Sequence, residues 1–231
     1  MNGTATVPVG WRIAGVVGEL LAVAGLVLLG FLAYQTWGRT GQIEDAQAQL
    51  DQRLTQSWQT PPKTPRQAAS GKSRQAMPAG TPLVRLSIPR LDMQWTVVEG
   101  VDLQSLRGAL GHYPGTQLPG QVGNFAVAGH RFHGLFWDLD KVRPGDTILV
   151  EDRTARYVYR VESSTMVSPT DTAVLAPVPG RPGAAPSTAQ ITLTTCNPKW
   201  GHSQRLIVTG KLQSTVPKNP GTSAAPSGGA S

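Results

Sequence analysis

Residues 190–212 read QITLTTCNPKWGHSQRLIVTGKL, two runs of β-branched and apolar residues separated by a polar loop. Such runs bounded by turn residues are strand signals, and the first stops where Asn197 and Pro198 forbid its continuation. The only cysteine of the chain, Cys196, therefore stands at a strand end. Period-two alternation puts Thr192, Thr194 and Cys196 on one face and turns Ile191, Leu193 and Thr195 toward a core. If the two runs pair as neighbours across NPKWGHSQ, Arg205 returns to the strand end where the thiol lies.

Upstream, the same pattern recurs at residues 83–88, 94–98, 124–130, 146–150 and 155–162. RPGD at 143–146 is a turn feeding a strand, and APVPGRPG at 176–183 resists regular structure. Helical signal within this region is confined to 103–110. Many short strands at close spacing predict an all-β barrel or sandwich with one core, over residues 81–213.

A nucleophilic cysteine needs a proton partner. Of the four histidines, His130 closes the run NFAVAGH, where Gly129 admits close backbone approach and Arg131 breaks the apolar pattern. His112 precedes a YPG turn, His133 lies in the loop after His130, and His202 in the loop after Cys196. His130 is the first choice by strand-end position, and Arg205 supplies positive charge where an oxyanion would develop. Ordinary thiol and imidazole values of about 8.5 and 6.5 favour the neutral pair by about 2.7 kcal/mol. Contact at about 4 Å returns up to about 4 kcal/mol at an effective dielectric of 20. The two effects are similar in size, so the resting protonation state is left open.

The rest of the chain is organised around this domain. Residues 13–34, IAGVVGELLAVAGLVLLGFLAY, carry one charge, Glu19, over about the length a helix needs to cross a bilayer. The run exceeds a signal h-region, and YQTWGRT after it offers no small-x-small cleavage site. The expectation is a transmembrane helix with residues 1–12 cytoplasmic and the catalytic domain outside the cell. Residues 35–80 are expected as a tether in which Ile43, Ala46, Leu50 and Leu54 mark a short amphipathic helix, followed by an extended Pro- and Gln-rich stretch. Residues 214–231 are expected as a disordered tail. A net charge of +7 comes without a basic run or an aromatic-basic stripe, which argues against nucleic-acid binding. One cysteine excludes an intrachain disulfide.

The segments AVAGHR and TLTTCNPKWGHSQRLIV resemble the histidine strand and the TLxTC to Arg signature of sortases. With GELL near the start of the anchor and HYPGT at residues 112–116, the chain is most similar to the class E sortases of actinobacteria. The resemblance implies an eight-stranded β-barrel with short helices and a Cys196, His130 and Arg205 trio beside a groove. Tyr113, Thr194 and Thr195 would line that groove. Also implied is a thioester route that cleaves an LAxTG-like sorting signal of an exported protein between Thr and Gly. The acyl group then passes to an amine of a cell-wall precursor or a protein. No cofactor is implied, and the loops hold no acidic cluster like the calcium site of class A sortases. Phe132, His133 and Leu135 depart from the more polar stretch of many relatives. An L,D-transpeptidase-like cross-linker is the enzymatic rival, although TLTTCNP lacks its SxGC context. A non-catalytic membrane-tethered binding domain is the rival of a different class.

Overall fold

The computed structural model describes residues 9–60 and 77–218, with only the backbone given at 9–14, 32–33 and 35–40. A helix, α1 (Val9–Gln59), precedes eight strands: β1 (Pro82–Ile88), β2 (Met93–Glu99), β3 (Leu110–His112), β4 (Gly123–Ala128), β5 (Thr147–Glu151), β6 (Ala155–Val167), β7 (Ala189–Asn197) and β8 (Gln204–Pro217). They close into a barrel in the order β1-β2-β3-β4-β7-β8-β6-β5, with β5 paired back to β1. Only β2/β3 and β4/β7 run parallel. The chain falls into two compact units, residues 1–42 and 43–231.

Alternation directs the barrel wall. In β1, Val84, Leu86 and Ile88 point inward and are buried, joining Trp95, Phe125, Phe136, Ile191 and Val208 in one core cluster. Trp95 packs edge-on against Phe136, with centroids 5.5 Å apart. Its indole N–H donates to the Gly134 carbonyl at 2.8 Å, satisfying the polar atom that a buried tryptophan carries.

Three expectations are corrected. Residues 103–110 form only a single 3₁₀ turn, Ser105–Arg107, and then enter β3. That short strand is created by its neighbours, parallel β2 and antiparallel β4. Helical backbone runs without interruption from Val9 to Gln59, so the short amphipathic helix expected around Ile43 to Leu54 is the end of a longer one. Finally, β8 continues to Pro217, four residues into the expected tail. Residues 61–76, which hold the proline-rich stretch, and residues 1–8 and 219–231 lie outside the described residues. Among the described residues no helix is long and apolar enough to cross a membrane. The expected span 13–34 includes four positions, 13, 14, 32 and 33, where only backbone is given.

The last third of α1, from Ile43, is part of the barrel unit. Ile43 and Leu54 are buried, and Ile43 belongs to the core cluster. Because β3 is short, the Thr96 N–H of β2 has no strand partner on that side. It donates instead to Gln47 Oε1 at 2.7 Å, while Gln47 Nε2 donates to the Gly108 carbonyl at 2.7 Å. An edge that would otherwise expose free backbone groups is thus covered by a helix. Arg85 of β1 donates through Nε to Asp51 at 2.8 Å, and Arg85 and Lys218 each lie over the Trp58 ring, 5.1 and 4.2 Å from its centroid.

Candidate active site

The pairing of three strands fixes where Cys196, His130 and Arg205 stand. In the antiparallel β7/β8 ladder Cys196 is the direct partner of Arg205. In the parallel β4/β7 ladder Ala128 is opposite Thr194, and the Gly129 N–H donates to the Thr194 carbonyl at 3.0 Å. Two residues further along both strands, past the last paired rung, come His130 and Cys196 at the same barrel end. Gly129 lets the chain pass close to the core here. A Cβ there would meet Leu110 Cδ2 and Phe136 Cδ2 at 2.6 Å, well inside van der Waals contact.

Cys196 is free and half-buried, as are His130 and Arg205. The His130 ring stacks on Phe132, with centroids 5.1 Å apart. Partial burial lowers the His130 pKa below 6.5, because desolvation disfavours the imidazolium. Burial thus favours the neutral ring over the imidazolium. An NMR titration of the His130 ring is expected to give a midpoint below 6.5; a midpoint above it would require an anionic partner. The linkage sign follows: stability from the neutral ring is fully present above 6.5 and falls as pH drops from 6.5 toward the folded value. Arg205 Nη1 donates to the carbonyls of His202 and Gln204, both at 3.1 Å, so its guanidinium is tethered beside the loop.

The other histidines separate clearly. His112 is 2% exposed, with Nδ1 at 2.7 Å from Glu99 Oε2 and Nε2 at 2.9 Å from Thr116 Oγ1. It braces the turn that carries Tyr113. His133 rests on Trp137 at 4.1 Å between centroids, and His202 is exposed.

Of the expected groove residues, Tyr113 is half-buried and its hydroxyl lies 3.1 Å from Thr194 Oγ1. Thr194 is only 5% exposed. Thr195 turns into the barrel, 2% exposed, and its Oγ1 has no hydrogen-bond partner among the described residues. Both threonine side chains expected along the groove are thus buried. The face opposite the core is not open along all of β7 either. Thr192 donates to Asn124 Oδ1 at 2.9 Å, and Asn124 Nδ2 donates to the carbonyls of Val174 and Ala176, each at 3.1 Å. Asn124 thereby pins the β6–β7 connection over the strands that carry Cys196 and His130.

Residue-by-residue reading missed a charged clasp beside the site. Arg131 is 4% exposed and bonds across to the Cys196 strand end. Lys199 Nζ sits 3.1 Å from Asp138 Oδ1, and Trp137 meets Trp200 edge-on at 4.8 Å. Burial raises the Asp138 pKa, but hydrogen bonds from Lys141 and Lys199 and their charges outweigh that, leaving its carboxyl below the ordinary value. The acidic segment DLDK, soon after a strand-end His-Arg pair, was the available signal. No group of three or more His, Cys, Asp or Glu side chains that could hold a metal occurs among the described residues.

A free thiol, an imidazole and a guanidinium set at one barrel end by strand register suit nucleophilic acyl transfer. Comparison with known proteins agrees with that chemistry. The Sortase domain model matches residues 86–213. Sortase SrtE1 of Streptomyces coelicolor is 34% identical over 216 residues, covering 89% of this chain and 58% of that protein's length. Sortase SrtE2 of the same organism is 30% identical over 211 residues, covering 87% and 82%. The solved structure of sortase E from Streptomyces avermitilis superposes with a TM-score of 0.55 at 40% identity, over 61% of this chain and 93% of that one. With a family model matched over more than half of its length, the chain belongs to the sortase family.

Proposed function

We propose that this sortase is a membrane-anchored cysteine transpeptidase of the class E kind. It cuts an LAxTG-type sorting signal between Thr and Gly and passes the acyl group to an amine of a cell-wall precursor or a protein. The observation that carries the reading is the strand register: Cys196 opposite Arg205, and His130 two residues beyond the Ala128 and Thr194 pairing. The 34% identity to a protein named Sortase SrtE1 supports the class. The apolar run at residues 13–34 supports the anchor.

The Cys196 thiolate attacks the Thr carbonyl, and the developing oxyanion is met by Arg205. Collapse of the tetrahedral intermediate breaks the Thr–Gly bond, and imidazolium His130 gives its proton to the leaving Gly amine. The thioester remains on Cys196. An incoming amine, deprotonated by the now neutral His130, attacks it and releases the thiolate. Tyr113, joined to Thr194, would form one wall of the groove that receives the signal. Partial burial, which lowers the His130 pKa, suits its role as base in the second half-reaction.

Full-length protein should stay in membranes washed with alkaline carbonate. Solubilised in detergent and mixed with an LAxTG-type peptide and triglycine, it should give a mass-spectrometric product in which triglycine follows the Thr. Recovery in the carbonate supernatant would remove the anchor. A folded protein that cleaves none of a panel of sorting pentapeptides would remove the transpeptidase.

A further inference from the structure

β4 and β7 stop pairing just short of the residues that matter. Their ladder ends at Ala128 and Thr194, and the last bond is from the Gly129 N–H to the Thr194 carbonyl. Beyond it, Cys196 is held through β8 on one side, while the carbonyl facing His130's chain has lost its strand donor. Arg131 fills that place. Its Nη1 donates to the Cys196 carbonyl at 3.2 Å and to Asn197 Oδ1 at 3.0 Å. On the other side, Nε donates to the Trp137 carbonyl at 3.2 Å, and Nη2 lies 3.0 Å from Asp140 Oδ1.

A side chain only 3% exposed that makes four such contacts is fixed. A buried guanidinium persists only when its donors and charge are met, and its planar fork imposes geometry that a flexible ammonium does not. Arg131 also follows His130 directly in sequence. One residue therefore fastens the exit of the histidine strand to the exit of the cysteine strand. Asp140 holds the fork from behind; its carboxylate is 41% exposed and lies 3.5 Å from Lys199 Nζ, a residue of the loop after Cys196. The clasp spans three segments: the end of β4, the 3₁₀ segment Phe136–Lys141, and the β7–β8 loop.

We infer that Arg131, braced by Asp140, is a positioning residue that sets the Cys196 strand end against His130. It touches no reacting atom; it acts by replacing the missing rung of the β4/β7 ladder. The inference rests on the transpeptidase reading for its kinetic consequence, but the positioning itself is independent of any substrate. Misplacement of a nucleophile by about 1 Å costs on the order of 100-fold in rate, while peptide binding along the groove is left intact.

The test uses the full-length chain in detergent with three variants, Arg131→Gln, Arg131→Lys and Asp140→Asn. In Arg131→Gln, kcat for transfer to triglycine is expected to fall about 100-fold with KM within about threefold of wild type. Arg131→Lys keeps the charge and loses the fork, and is expected to recover less than about a tenth of that loss. Asp140→Asn, changed at a half-exposed position, is expected to fold even if Arg131→Gln does not, and to lose about 3–10-fold in kcat. Because Cys196 is the only thiol, its alkylation by iodoacetamide reports directly that the nucleophile is present and accessible, and should stay near the wild-type rate. Hydrogen exchange read on fragments spanning residues 194–200 needs no peptide, and should quicken in Asp140→Asn and Arg131→Gln. Wild-type kcat and unchanged exchange in folded Asp140→Asn and Arg131→Lys would overturn the inference. Faster exchange in a protein whose wild type transfers nothing would sink the transpeptidase reading and leave the positioning role standing.

Discussion

Cys196→Ala is expected to lose peptide cleavage and transfer to triglycine by about 10⁴-fold or more, with the melting temperature of the protein nearly unchanged. The size follows from the chemistry the site has left. Without sulfur there is no thioester, and the chain has no second thiol to substitute. His130 and Arg205 can still polarise a bound carbonyl, but water would have to attack it directly, and a neutral imidazole at a barrel rim is a weak base for that. Cys196→Ser is expected to fall nearly as far. A hydroxyl is far harder to ionise than a thiol, and an imidazole held below its ordinary pKa by burial is poorly matched to take its proton. The fold should survive both changes, since Cys196 is half-buried at a strand end and not part of the core cluster. Rates of product formation by mass spectrometry, with thermal unfolding alongside, decide the matter. Transfer by folded Cys196→Ala within tenfold of wild type would place the chemistry on some other residue.

What could be read from the sequence was local. The β7 and β8 runs announce themselves through β-branched content and a Pro-bounded loop, and their antiparallel pairing brings Arg205 back to Cys196 with no knowledge of the rest of the chain. His130 was found by strand-end position, but its approach to Cys196 depends on β4 lying parallel beside β7. Those strands are more than sixty residues apart in sequence, and no periodicity in either one announces the pairing. β3 was hidden for the same reason. Leu110, Gly111 and His112 have no strand propensity of their own, and become a strand because β2 and β4 offer backbone partners on both sides.

Polarity misled where tertiary cover intervened. Thr192 and Thr194 lie on the face opposite the core as alternation requires, yet both are buried. Asn124 draws the β6–β7 connection over the first, and Tyr113 bonds to the second. Arg131 shows the same limit from the charged side. In sequence it only interrupts an apolar run; in space it is among the most constrained side chains near the nucleophile. A buried charge is invisible to pattern because its partners, Asp140 and the Cys196 carbonyl, come from other segments.

The helical residues 43–59 supply the second large expected effect, on stability. Ile43, Gln47, Asp51, Leu54 and Trp58 recur at steps of three and four, and this stripe is the face turned to the barrel. Leu54 is 1% exposed, although a stretch of chain separates it from β1. Leu54→Ala is expected to cost about 2–5 kcal/mol, the range for a leucine truncated in a packed site. For a domain of this size that lowers the midpoint of thermal unfolding by about 4–20 °C. The control is Leu29→Ala, at a side chain 64% exposed in the first unit, which should leave the barrel's midpoint where it was. If the helix contributes as its contacts indicate, a domain cut at residue 81 also loses the cover that Gln47 gives Thr96 and the ion pair of Asp51 with Arg85. It should then unfold at lower temperature than one beginning at residue 43. A Leu54→Ala shift of less than about 1 °C, below what even a 1 kcal/mol change would give, would mean that the helix rests on the barrel without stabilising it, and that residues 81–213 are a complete folding unit.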